Sequence, residues 1–436
     1  MKDCKKILII TYYWPPFGGT GVYRILKFVK YLRKFGYEPL ILTCTKADSP
    51  IYDEKLFDEI PEGIKTTRTE ILEPTGFFRK KIAPRGEGKV TTTIFQKEQT
   101  SPKMQLAKWV RLNFFVPDAK IGWKKYAVQA GKEIIEQEQP VLIFSTSPPP
   151  TAQLIAKELA QWSGLPWVAD FRDPWTRIFY LDKVNQWSSA KRKNERLEKE
   201  VLETCQLATV VNNGFFPHLG FEEKEFVIPN GFDPAEFEGI IKMQNRQFTI
   251  RYFGGYKVNQ FAEPLFKALT QLCQNEEVRK KIMIEFYGFV DPAVHREIKK
   301  CAPNVEIAFH DYIDRQKMVE LMAATDLGLL FIGRGSINAT GFSTKIFEYL
   351  AAGLHVLGFG PVEGAAGKLL KGTGSGKVFD YEDEEGVLEY LLGNYEIWAA
   401  KGRLPEGKAS EIEKYSFVNL TGKLAAQFDE VLKKSR

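Results

Sequence analysis

KILIIT, Lys6 to Thr11, runs directly into YYWPPFGGTGVYR, Tyr12 to Arg24. An apolar run of strand length is followed by four small residues, Gly18, Gly19, Thr20 and Gly21, and then by VYRILKFVKYLRKFG, an amphipathic stretch. Strand, glycine turn, helix is how a backbone approaches an anion. Glycines let amides come close, and the helix N-terminus adds partial positive charge. The spacing is not G-x-G-x-x-G, because positions 19, 21 and 24 hold Gly, Gly and Arg. No Walker lysine follows either. Ligand contact and a plain strand-to-helix turn both remain open at this point.

The same alternation continues outward. EPLILTC, VLIFSTS, PWVADF and LATVVNN are short apolar runs in the first half, with helical patterns at Val22–Phe35, Trp123–Gln139, Ala152–Trp162 and Asn194–Thr204. The second half reads FTIRYFG, IMIEFYGF, VEIAFHD, DLGLLFI, LHVLGFG and GKVFD, with helices such as PLFKALTQLC, RQKMVELMAA and TKIFEYLAAG between them. Continuously apolar strands separated by helices imply parallel sheets covered on both faces. The fold class is therefore α/β, with two Rossmann-like doubly wound domains. IPNGFDPAEF, Ile228 to Phe237, breaks the periodicity with Asn-Gly and Asp-Pro and marks the boundary. The expected domains are 1–231 and 232–414, with a C-terminal amphipathic helix within 415–436 packing back onto the first. Residues 73–105 carry Pro, Gly, Thr and Lys without period and read as a mobile loop.

Composition fits a folded globular chain: 436 residues, 44% apolar and 27% charged. The five cysteines are scattered and lack metal or disulfide spacing, which points to a reducing compartment. The apolar segment after the N-terminal charges is too short for a signal peptide, and no run is long enough to span a bilayer. The expected location is the cytoplasm, peripherally on the inner face of the plasma membrane. Net charge is +6, yet residues 76–125 hold twelve Lys and Arg against three acids, +9, leaving about −3 for the rest. Such a patch calls for an anionic partner. FFRKK and KMQLAKWVRLNFF mix aromatic and basic residues as membrane-surface segments do. A solvated loop is the other reading, and no nucleic-acid motif accompanies the charge.

Three further stretches carry chemistry. STSPPPTAQ, Ser145 to Gln153, leaves the carboxyl end of a strand, where open α/β sheets bind ligands, so Ser147 is a candidate contact; a capped helix start is the alternative. PWVADFRDPW brings Asp170, Arg172 and Asp173 to another strand end, where they can polarise a hydroxyl or clamp a phosphate, or else form an internal ion pair. Trp167 and Trp175 there are either sugar platforms or core. GFSTKIFEYLAAGLHVLGFG places Ser343 and Thr344 as N-cap residues and Lys345 in the first turn. A cation there opposes the helix dipole unless an anion is bound. Glu348, three residues on, can face the same side, or simply pair with Lys345. The four histidines are dispersed and no Asp-x-Asp occurs, so no metal is expected.

Together these residues resemble the family 4 glycosyltransferases. YYWPPFGGTG is similar to their glycine loop, VIPNGFD to their interdomain junction, and STKIFEYLAAGLHVL to their donor-binding helix and strand; STSPPPTA with GLPWVADFRDPW resembles a subgroup acting in bacterial surface polysaccharide assembly. The resemblance covers nearly the whole chain. It implies the GT-B fold, with the two domains facing each other across a cleft, and transfer of a hexose-type sugar with retention. It also implies a nucleotide-sugar donor, no cofactor, and a glycan or lipid-diphosphate-linked acceptor. Gly18, Gly19 and Gly21 would lie near the donor diphosphate, Lys345 would neutralise it, and Glu348 would hold the ribose hydroxyls. The first glutamate of the family's Glu–seven residues–Glu motif is Thr340 here. Lys257 in YFGGYKVNQ matches the family's lysine after the first strand of the second domain, while the accompanying arginine is missing. Tyr312 and Ile313 in HDYID fall where the base is held. Rival readings are a nucleotide-sugar epimerase, a non-catalytic nucleotide-sugar-binding subunit on the same fold and, with the wrong glycine spacing, a dinucleotide oxidoreductase.

Overall fold

The computed structural model describes residues 4–45, 52–72, 102–177, 186–216, 218–240, 245–334 and 343–435. The chain divides into two compact units, Met1–Pro229 with Leu420–Arg436, and Asn230–Asn419. The first unit carries seven strands: β1 Lys5–Thr11, β2 Tyr37–Cys44, β3 Lys65–Thr69, β4 Leu142–Ser147, β5 Trp167–Phe171, β6 Leu207–Val210 and β7 Glu225–Val227. They lie in the order β3-β2-β1-β4-β5-β6-β7, all parallel. The second unit carries β8 Phe248–Phe253, β9 Ile282–Tyr287, β10 Ala308–His310, β11 Leu327–Phe331, β12 His355–Phe359 and β13 Gly376–Phe379. Their order is β10-β9-β8-β11-β12-β13, again all parallel. Each sheet is thus doubly wound, and the α/β class with two Rossmann-like units holds.

The strand order reverses between β1 and β4 in one sheet and between β8 and β11 in the other. Ligands of such sheets bind outside the carboxyl ends at these points. The glycine loop follows β1 and the Ser147–Pro150 turn follows β4, so two of the motifs flank one switch point. Gly254 follows β8 at the other.

β1, β2, β4, β5, β8, β11 and β12 are mostly or wholly buried apolar runs, which is why the sequence announces them. β3 and β7 escape sequence reading for the opposite reason. KTTRT is a half-exposed edge strand, and EFV is three half-buried residues on the other edge. The expected loop 73–105 is corrected at its end: Pro102–Phe114 is helical, and 73–101 lie outside the described residues. The helix expected from Asn194 starts at Ser188, because its first turns are polar and lack apolar period.

Helix Phe417–Lys434 presents Leu420, Leu424, Phe428 and Val431 as buried residues. Phe428 packs edge-on against Tyr37 of β2 and Phe144 of β4. Asp429 accepts a hydrogen bond of 2.8 Å from the Tyr37 hydroxyl and one of 2.7 Å from Lys5 Nζ. Burial and this carboxylate together raise the Tyr37 hydroxyl pKa well above its ordinary value.

Candidate functional site

In the first unit, Gly19 stands before helix Thr20–Leu32 with φ +100°, a conformation that L side chains rarely adopt, and among the described residues no side chain caps the helix start. The Val22 amide bonds to the Gly19 carbonyl at 3.0 Å. At Gly21 a side chain would displace the tip of Arg172. A Cβ there would lie 2.7 Å from Nη1 of Arg172. Arg172 braces the region by donating to three backbone carbonyls. Nη1 bonds to Gly21 O, Nη2 to Pro148 O at 2.6 Å, and Nε to Ser147 O at 3.1 Å. Burial pulls its pKa below the usual guanidinium value, against the raising effect of Asp170 and Asp173. Arg172 therefore joins the glycine loop to the end of β4; its three bonds are to backbone, so its role is to shape the loop.

Two expected site residues of this unit are corrected. Asp170 is 1% exposed and its carboxylate is saturated. It pairs with Arg24 Nη2 at 2.9 Å and accepts from Thr146 Oγ1 at 2.7 Å and Thr209 Oγ1 at 2.8 Å. Burial raises its pKa, but Arg24 and the two hydroxyls more than reverse this, and the carboxyl sits below its ordinary value. Arg24 also donates to the carbonyls of Ile228 and Pro229. This is the internal ion pair, pinning the first helix to β5 and to the segment leaving the unit. Ser147 is 3% exposed; its hydroxyl donates to the Asp170 carbonyl at 3.3 Å and accepts from Gln153 Nε2 at 3.2 Å. Burial leaves neither group surface to offer an acceptor. Trp167 and Trp175 are core, their indole N–H groups taken by Ser145 and Asn194. The helix start after Pro150 is capped from outside, by Asp118, which accepts from both the amide and the hydroxyl of Thr151. Asp173 is exposed as a residue, yet burial of its carboxyl raises its pKa against the lowering effect of Arg172.

Beneath this loop lies a group that the sequence did not reveal. Glu198, buried in helix Ser188–Thr204, accepts from the Thr176 hydroxyl, and His218 Nε2 approaches that hydroxyl at 3.4 Å. Burial pushes the Glu198 carboxyl up to about 7, while the Thr176 hydroxyl and the Thr176 and Trp175 amides act to lower it.

In the second unit, helix Thr344–Ala351 begins after Ser343, whose hydroxyl makes no capping bond among the described residues. That corrects its expected capping role and leaves the N-terminal amides of the helix without a side-chain acceptor among the described residues. Lys345 folds back across the end of β8. A Cβ on Gly254, where φ is +130°, would lie 2.2 Å from Lys345 Cε and 2.3 Å from Nζ. The ammonium stands 5.6 Å from the centre of the Tyr252 ring and makes no ion pair among the described residues. Burial lowers its pKa, Glu348 raises it and Lys257 lowers it further. Lys257 is exposed, on the turn that follows β8.

Glu348 does not pair with Lys345. Its Oε1 accepts from Nη1 of Arg315, whose Nε donates at 3.0 Å to Glu236. Arg315 is thus shared by two carboxylates, which raise its pKa well above the ordinary value against the lowering effect of burial. Arg315 and Glu236 were missed from the sequence because they come from two distant segments and belong to no local motif. Tyr312 is 85% exposed, and Ile313 is half-buried against the apolar cluster of Ile346 and Phe347. Thr340 lies outside the described residues.

No family model matches this chain, and no curated protein does. Solved structures match along its whole length. Anabaena HepE in complex with UDP and glucose is 15% identical over 98% of this chain and 100% of its own, with a TM-score of 0.59. The catalytic domain of starch synthase IV from Arabidopsis thaliana, bound to ADP and acarbose, is 12% identical over 99% of both chains, TM-score 0.54. A Listeria monocytogenes protein assigned as a UDP-N-acetylglucosamine 2-epimerase is 12% identical over 99% and 97%, TM-score 0.53. At these identities the likeness is one of fold.

Proposed function

We propose that this chain is a glycosyltransferase of GT-B type. It moves a hexose-type sugar from a nucleoside diphosphate to a hydroxyl of a glycan or lipid-linked acceptor, with retention, in the assembly of cell-surface polysaccharide. The observation that carries the reading is Lys345: a half-buried ammonium held against Gly254 at a helix start that, among the described residues, has no side-chain cap and no carboxylate bonded to the ammonium. An unneutralised cation in such a place is costly unless an anion joins it. A departing diphosphate supplies that anion.

The chemistry then follows from charge. The anomeric carbon–oxygen bond breaks with its electron pair passing to the diphosphate, and the acceptor oxygen bonds to the anomeric carbon on the face the leaving group vacates. The acceptor proton is released to a diphosphate oxygen. Fixed positive polarity at the leaving oxygens lowers the barrier because it strengthens as charge develops. Lys345, Lys257 and the amides at Ser343 and Thr344 supply it in the second unit. Glu348 retains one oxygen outside its bond to Arg315 for the ribose hydroxyls.

Thermal melting in the presence of UDP, GDP and ADP and their hexose conjugates tests the donor assignment. Ligand that binds only the folded state raises Tm. One nucleotide series should do so, and Lys345→Ala should weaken that binding by about 2 kcal/mol, the worth of a charged hydrogen bond. No shift with any nucleotide sugar, or an unchanged Kd in Lys345→Ala, would reject the site. Epimerised sugar formed without acceptor, or binding with neither transfer nor hydrolysis, would select the epimerase or the non-catalytic subunit instead.

A further inference from the structure

Helix Pro102–Phe114 and the start of helix Ser188–Thr204 adjoin in the first unit, far apart in sequence. The Trp187 amide donates to Asn113 Oδ1 at 2.6 Å, and Gln186 Nε2 donates to the Leu112 carbonyl at 3.0 Å. These bonds set Trp187 into an aromatic cluster, with ring centroids 5.0 Å from Trp109 and 5.2 Å from Phe114. The cluster is not closed over. Leu106 and Phe114 are each 60% exposed and Trp187 is 45% exposed.

Cations dominate the two segments that form it. Residues 102–114 contain Lys103, Lys108 and Arg111 and no acid; residues 186–194 contain Lys191, Arg192 and Lys193 and no acid. Lys191, Arg192 and Lys193 are exposed and form no ion pair among the described residues. Large apolar side chains left in water beside exposed cations mark a docking surface rather than a core margin. Trp and Phe settle at the level of lipid headgroups, while Lys and Arg are drawn to anionic phosphates.

We infer that Leu106, Phe114 and Trp187, with Lys191, Arg192 and Lys193, dock the protein on the surface of an anionic phospholipid bilayer. Charge complementarity selects that occupant. The rings pack edge-on against one another, which uses the faces on which a nucleobase would stack. This surface is independent of the donor chemistry, and its test uses no nucleotide.

Full-length protein is sedimented with vesicles of equal parts phosphatidylcholine and phosphatidylglycerol, and with vesicles of phosphatidylcholine alone. Binding is expected only to the anionic vesicles and should weaken as salt screens the cations. Lys191→Glu with Arg192→Glu and Lys193→Glu should weaken it on the order of a hundredfold, from the contribution of three surface cations. Leu106→Ser, at a position with little packing to lose, should weaken it about tenfold through lost apolar insertion. A matched reversal elsewhere, Lys299→Glu with Lys300→Glu and Lys368→Glu, should leave it unchanged, and melting curves check that every variant is folded. Equal binding to neutral vesicles, equal loss in the matched control, or full binding by the Lys191–Lys193 variant would overturn the inference. So would capture of a labelled single-stranded RNA without capture of anionic vesicles.

Discussion

Arg24 and Asp170 form an ion pair from which water is excluded, so removing either partner leaves a charge with nowhere to go. Asp170→Ala should cost about 3–5 kcal/mol of stability, read by urea denaturation of the isolated change. Because the folded carboxyl lies below its ordinary pKa, its contribution is complete above about pH 4, where the unfolded carboxyl is already ionised, and is lost as pH falls through the lowered folded value. Glu198 has the opposite sign. Its folded carboxyl is raised to about 7, so the native state holds a proton that the unfolded state has released. Stability should therefore fall between about pH 4 and pH 7 and level off above. Glu198→Gln, which keeps an acceptor for Thr176 without the charge, should be more stabilising relative to wild type at pH 8 than at pH 5 in thermal melts. A smaller gain at pH 8 would mean that Glu198 is ionised at little cost.

At the scale of elements, two helix starts and two glycines carry the candidate site. Gly254→Ala forces a side chain into left-handed backbone and onto the Lys345 stem, so the ammonium must move. The backbone term alone is about 1 kcal/mol. The larger expected effect is loss of nucleotide binding comparable to Lys345→Ala, measured by calorimetric titration. A variant that binds nucleotide normally would show that the contact between β8 and the helix is not needed. Arg172→Ala removes three bonds to backbone carbonyls of the glycine loop and the β4 turn at once. It should raise amide exchange in Gly18–Gly21 while leaving nucleotide affinity within about threefold, since the proposed donor contacts lie in the second unit. These elements were partly legible. Lys345 stands out because a cation in a first helical turn is out of place without an anion, and glycines between a strand and a helix invite an anion. The partner of Glu348 was not legible, since Arg315 reaches it from a helix start in a separate segment.

For the whole molecule, the last helix belongs to the first unit although the chain has passed through the second before making it. Ending the chain after Asn419 would strip Leu420, Leu424 and Phe428 from the first sheet, at about 1.5–3 kcal/mol each, and leave the buried Tyr37 hydroxyl without Asp429. The first unit should then unfold below the Tm of the full chain, as two separate calorimetric transitions or as loss of soluble protein; an unchanged single transition would contradict the assignment of this helix. What the amino-acid sequence determined by itself was the period: buried strands alternating with helices, twice, which admits only doubly wound parallel sheets. The two edge strands stayed hidden because half-exposed, short strands lack an apolar run. What only the tertiary structure decided was which polar groups remain available. Asp170, Arg172 and Asp173 look equivalent in FRDPW, yet burial closes the first among Arg24, Thr146 and Thr209, turns the second onto backbone carbonyls, and raises the carboxyl pKa of the third against the pull of Arg172. Those partners lie as far as 151 positions away along the chain, as the Arg172–Gly21 bond does, and only folding brings them within reach of a hydrogen bond.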